Sequence, residues 1–151
     1  MNRKLATAAV LALLLAGVSA QADVLATATR QTFTTPVTTS VNNLPLHDSG
    51  ATSLSFSTAT TQTVLVTFST DCSVATAGNV LAVVIYVDGV AAAGTGASSA
   101  GSRMCADSLI TAASRTAFIT VGPGSHTVQI TGQIIGSGTG GFLRTVTAVQ
   151  N

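Results

Sequence analysis

The chain has 151 residues, a formal net charge of +1 and only 7% charged side chains, against about 25% in ordinary soluble domains. Apolar residues make up 46%, which excludes a disordered chain because enough apolar side chain is available to collapse. The lack of a basic surplus excludes electrostatic binding to nucleic acid, and the length suits one domain.

Residues 1–22 read as a secretory signal peptide. Arg3 and Lys4 supply a positive start, residues 5–18 are apolar, and Ala20-Gln21-Ala22 fits the A-x-A cleavage pattern, with Val18-Ser19-Ala20 as a second option. The apolar stretch is shorter than the ~20 residues of a membrane span. No Cys follows it to carry a lipid. The expected mature chain is residues 23–151, a single domain with no membrane span, secreted to the periplasm or outside the cell. Cleavage removes the only lysine and leaves four arginines against five aspartates, with no glutamate.

The mature chain reads as strands, because Thr and Ser are abundant and the branched Cβ of Thr favours extended backbone. Residues 24–33, 36–41 and 52–57 carry weaker strand patterns. In residues 63–70, Val64, Val66 and Phe68 share one parity and Thr63, Thr67 and Ser69 the other, which predicts a half-buried strand. Residues 79–87 are apolar on both parities, predicting a central strand covered on both faces, and include the only tyrosine, Tyr86. Asp88-Gly89 comes next as a type I′ hairpin turn. Residues 91–102 form a loop of small residues.

Residues 116–121 predict another strand, Gly122-Pro123-Gly124-Ser125 a turn, and residues 126–135 a strand with His126, Val128 and Ile130 on one side. Residues 136–141 form a Gly/Ser turn before a last strand at 142–149. About eight strands and no helical period predict an all-β fold, an antiparallel β-sandwich of jelly-roll or Greek-key type. A transmembrane barrel would need aromatic girdles, which five Phe and one Tyr do not supply.

Cys72 and Cys105 are the only cysteines. In an exported chain they predict a disulfide, closing a loop of 33 residues, with Cys72 inward by parity. Two cysteines alone fall short of the three or four ligands of a zinc site. No metal and no cofactor is expected. A calcium site would have to draw on Asp71, Asp88 and Asp107, which sit at turn-like positions where local backbone hydrogen bonds are the expected role.

His47-Asp48-Ser49 places three triad residue types in a row, but adjacent residues of an extended chain point apart. His126 begins a strand after a tight turn, where a half-buried, hydrogen-bonded imidazole is expected. G-x-S-x-G, G-K-[ST] and H-E-x-x-H are all missing, and paired-carboxylate chemistry would rest on Asp alone. No catalytic residue is therefore assigned; a hydrolase would need a site assembled around His47, Asp48 and His126.

Residues 64–72 (VLVTFSTDC), 83–90 (VVIYVDGV), Cys105 and 122–130 (GPGSHTVQI) together resemble a group of uncharacterised secreted bacterial β-proteins. The layout is also distantly similar to C1q/TNF-like jelly rolls. The resemblance covers most of residues 60–150. It implies a fold and brings no activity or site residues.

The function expected from the sequence is a secreted non-enzymatic β-sandwich module for binding or surface assembly, with no ligand specified. Little charge opposes contact between copies, which suits a homo-oligomer. Two alternatives remain: a carbohydrate-binding module, which needs exposed aromatic rings, and a pilus or adhesin subunit joined by strand addition through residues 24–33.

Overall fold

The computed structural model describes residues 22–31, 35–95, 103–106 and 108–151. Residues 1–21 of the predicted signal peptide, Phe33, residues 96–102 of the small-residue loop and Asp107 lie outside the described residues.

Eleven strands form among the described residues: β1 (Val24–Arg30), β2 (Thr35–Val37), β3 (Asn42–Asn43), β4 (Ser53–Thr58), β5 (Gln62–Val74), β6 (Val80–Val87), β7 (Val90–Ala91), β8 (Arg103–Cys105), β9 (Thr111–Val121), β10 (Gly124–Ile135) and β11 (Gly140–Gln150). Each of the eight predicted strands has a counterpart, but the one expected over 36–41 stops at Val37, with a bend at residues 39–40, and the one expected over 24–33 ends at Arg30. The additions β3, β7 and β8 are too short to carry a periodic signal.

The strands form two antiparallel sheets. The five-stranded sheet runs β1-β11-β5-β9, with β2 also on β11; the six-stranded sheet runs β3-β10-β6-β7, with β4 on β10 and β8 on β6. From β4 to β6, and again from β8 to β11, the chain changes sheet at every connection. The first strand pairs with the last. This is an antiparallel β-sandwich of the jelly-roll or Greek-key type. Val24–Arg30 completes the chain's own sheet on β11. Among the described residues no helix is long and apolar enough to cross a membrane.

Alternation builds the core. Val64, Val66, Phe68, Cys72 and Val74 of β5 are buried, and face Leu81, Val83 and Ile85 of β6 and Val128, Ile130 and Ile134 of β10. Burying each such side chain contributes about 1.5–3 kcal/mol. Phe68 and Phe142 meet edge to face at 5.7 Å, a favoured aromatic geometry.

Cys72 and Cys105 form a disulfide with a Cα separation of 6.1 Å, ordinary for such a bridge. It ties β5 of one sheet to β8 of the other. At the β6–β7 hairpin, Asp88 (φ 51°) and Gly89 (φ 80°) both take left-handed backbone, as a type I′ turn demands.

One expectation needs correction. Strand β6 is central, but its outer side is only partly covered, and Val84 and Tyr86 are half-buried there. The strands flanking β6 are β10 and, on the other edge, only the short β7 and β8.

Candidate functional site

Among the described residues, two places that gather polar side chains stand out. The first is built on His126, at the start of β10. Its Nδ1 lies 2.7 Å from Asp88 Oδ2, and its Nε2 lies 2.9 Å from the Gly122 carbonyl oxygen. The ring leans on Phe56 at 5.2 Å between centroids, while Thr58 Oγ1 donates to the same Gly122 carbonyl. The other carboxylate oxygen, Asp88 Oδ1, accepts the Thr127 N–H at 2.8 Å.

The chemistry of this cluster comes from its partners. A carboxylate and a backbone carbonyl only accept hydrogen bonds. When His126 is protonated, one ring nitrogen donates to Asp88 and the other to the Gly122 carbonyl, with Thr58 Oγ1 3.3 Å from Nε2. The bond to Asp88 raises the His126 pKa above its ordinary value, helped by the Gly122 carbonyl. The same bond lowers the Asp88 pKa, against the opposing effect of burial. The cluster clips the β6–β7 turn to β10 and to the β9–β10 turn.

His47, Asp48 and Ser49 lie in the connection between β3 and β4. The His47 carbonyl accepts the Gly50 N–H at 3.0 Å. Asp48 Oδ1 accepts the Gln31 N–H at 2.9 Å, and Ser49 Oγ the Ala51 N–H at 3.4 Å. The bonds that the Asp48 and Ser49 side chains accept here come from backbone N–H groups. Among the described residues no three His, Cys, Asp or Glu side chains gather as a metal site would require.

The aspartates depart from the expected local roles. Asp88 reaches residues 126 and 127, far along the chain, rather than its own turn. Asp71 sits within β5 on the outward parity, not in a loop.

That outward parity defines the second place, the outer face of the five-stranded sheet. Register sets Thr63 opposite Thr120, Leu65 opposite Phe118, Thr67 opposite Thr116, Ser69 opposite Ser114 and Asp71 opposite Ala112. Three of these pairs join hydroxyl to hydroxyl, each at 3.0 Å: Thr63–Thr120, Thr67–Thr116 and Ser69–Ser114. Each such pair holds two O–H groups and uses one internally, so one donor and spare lone pairs face outward.

Between these rungs, Leu65 and Phe118 stand 40% and 53% exposed, side by side. At the other end a shallow groove of about 430 Å³ is lined by Ser69, Asp71, Ser114, Arg144 and Val146 among others. Among the described residues neither Asp71 nor Arg144 forms an ion pair. One carboxylate and one guanidinium thus line a common groove with their hydrogen-bonding capacity unspent.

The sequence reading overlooked Phe118 as an exposed aromatic. The signal was present: Thr116, Phe118 and Thr120 share one parity, and two of the three are polar.

No family model and no curated protein sequence matches this chain. Among solved structures it is similar to a CBM35 from Paenibacillus barcinonensis, at 17% identity and TM-score 0.36 over 80% of this chain and 96% of that one. A native family 35 carbohydrate binding module from Clostridium thermocellum shares 10% identity, TM-score 0.37, over 85% and 98%. Dimeric latent PorU from Porphyromonas gingivalis shares 11% identity, TM-score 0.42, over 89% of this chain and 14% of that one. At these identities and TM-scores the likeness says nothing of ligand or activity.

Proposed function

We propose that this chain is a secreted, non-enzymatic β-sandwich module that binds carbohydrate on the outer face of its five-stranded sheet. The observation that carries this reading is the groove in which Asp71 and Arg144, neither in an ion pair among the described residues, stand beside the Ser69–Ser114 rung. A sugar hydroxyl both donates and accepts. Vicinal hydroxyls suit a carboxylate that accepts and a guanidinium that donates in a planar fork. Exposed Phe118 adds the aromatic surface on which an apolar sugar face packs.

Export is supported by the signal pattern of residues 1–22 and by the disulfide. Strand β1 begins at Val24, so cleavage after Ala22 leaves β1 whole. The non-enzymatic character is supported by His126, whose ring is held between Asp88 and the Gly122 carbonyl as a clip between strands.

The test is retention of purified residues 23–151 on insoluble cellulose, chitin and xylan, together with a glycan array. Wild type should be retained on at least one glycan. Arg144→Ala and Asp71→Ala should each weaken that binding about ten-fold or more, since a hydrogen bond to a charged group contributes about 1.5–3 kcal/mol. Absence of binding to every glycan overturns the reading. Concentration-dependent self-association in that case would favour surface assembly instead.

A further inference from the structure

The outer face is long in one direction. Leu65 and Asp71 lie six residues apart on β5, so the Leu65–Phe118 pair and the Asp71–Arg144 groove are separated by ~20 Å along the strands. The Thr67–Thr116 and Ser69–Ser114 rungs fill the interval in one line. The two ends differ in chemistry. One is apolar, with Leu65 and Phe118 exposed; the other is charged and hydrogen-bonding. Across the described outward residues of β5, β9 and β11, Asp71 and Arg144 are the ionised groups, so the face has no net charge.

Resting on the carbohydrate reading above, we infer that the ligand is an uncharged linear glycan segment, roughly four sugar units long to match the ~20 Å run, lying along β5 and β9. One ring packs on the Leu65–Phe118 pair. The middle of the chain exchanges hydrogen bonds with the two hydroxyl rungs. The far ring places vicinal hydroxyls between Asp71 and Arg144. A single sugar reaches only one end, and a polyanionic glycan meets Asp71 without a surplus of positive charge. The unlike ends also fix the direction in which the chain lies.

The experiment titrates residues 23–151 by calorimetry with gluco-, xylo-, manno- and chito-oligosaccharides of one to six units. In the series that binds, affinity should rise at least about ten-fold from dimer to tetramer and level off beyond it. Phe118→Ala, checked for fold by circular dichroism, should abolish that rise and leave the tetramer close to the dimer. Arg144→Ala should weaken every length by a similar factor.

Equal affinity for all lengths, or a Phe118→Ala loss that is the same for every length, overturns the extended-chain inference. Retention on insoluble glycan with no binding of any soluble oligomer overturns it too, and leaves the carbohydrate module standing. No binding to either form overturns both.

Discussion

His126 Nδ1 and Asp88 Oδ2 stand 2.7 Å apart and join the start of β10 to the turn that ends β6, 38 residues earlier. Linkage sets the sign of the pH dependence. The folded His126 pKa is raised, so its contribution is complete below the unfolded value of about 6.5 and is lost as pH rises through the folded one. The folded Asp88 pKa is lowered, so its contribution is present above about 3.9 and is lost as pH falls through the folded value.

The clip therefore contributes most between about pH 4 and about pH 6.5. Thermal midpoints of wild type should decline on the alkaline side, while His126→Ala should lack that decline. Asp88→Asn keeps a residue type tolerant of positive φ and should lower the His126 pKa seen by NMR. Parallel wild-type and His126→Ala profiles across this range would rule out the linkage.

The disulfide offers a second test. Cys72 and Cys105 are 0% and 2% exposed and join the two sheets across 33 residues. Thiol titration of the unfolded, unreduced protein should find no free thiol. Removing the bridge should lower stability by about 3–4 kcal/mol on the chain-entropy account. Chemical denaturation of wild type against Cys72→Ser/Cys105→Ser measures it, and equal midpoints would exclude the expected contribution.

How far these features were legible in the sequence differs by kind. Strand identity was local information: Val64, Val66 and Phe68 alternate with Thr and Ser, and that alternation survives folding intact. The Asp88-Gly89 turn was legible for the same reason, since backbone geometry selects the residues. The partner of Asp88 was not legible, because His126 reaches it only through the pairing of β6 with β10. The hydroxyl ladder was equally hidden. Each of its halves is an ordinary polar face, and only the β5–β9 register sets Thr67 on Thr116 and Ser69 on Ser114. Arg144 joins Asp71 in one groove through the further pairing of β5 with β11. The outer face of β6 was misjudged because apolar residues on both parities do not reveal how short the flanking strands are.

A third prediction concerns Gly132. It lies inside β10, where an added Cβ would come within 2.8 Å of Phe142 Cε2 and 3.0 Å of Leu44 Cδ2. Both neighbours are fully packed side chains, 1% exposed each. Gly132→Ala should therefore cost about 1–3 kcal/mol, the usual range for overpacking. Gly122, with open space around its Cβ position, is the control, and Gly122→Ala should change stability far less. Equal effects at the two sites would show that Phe142 and Leu44 move aside freely.

The last prediction runs the other way, towards a gain. Thr147 is 1% exposed on β11, between Ala28 of β1 and Phe68 of β5. Its Oγ1 has no hydrogen-bond partner among the described residues, and neither has that of Thr145. A buried hydroxyl without a partner carries its desolvation cost unrelieved, of order 1–3 kcal/mol. Valine has nearly the same shape and no hydroxyl. Thr147→Val should raise the denaturation midpoint by an amount worth about 1 kcal/mol. Thr70 supplies the contrast on the neighbouring strand: it is also buried, but its Oγ1 donates to the Asp71 carbonyl at 2.9 Å. Thr70→Val gives up that bond and should be neutral or destabilising. A loss of stability in Thr147→Val would mean that its hydroxyl is satisfied in solution, for example by a buried water.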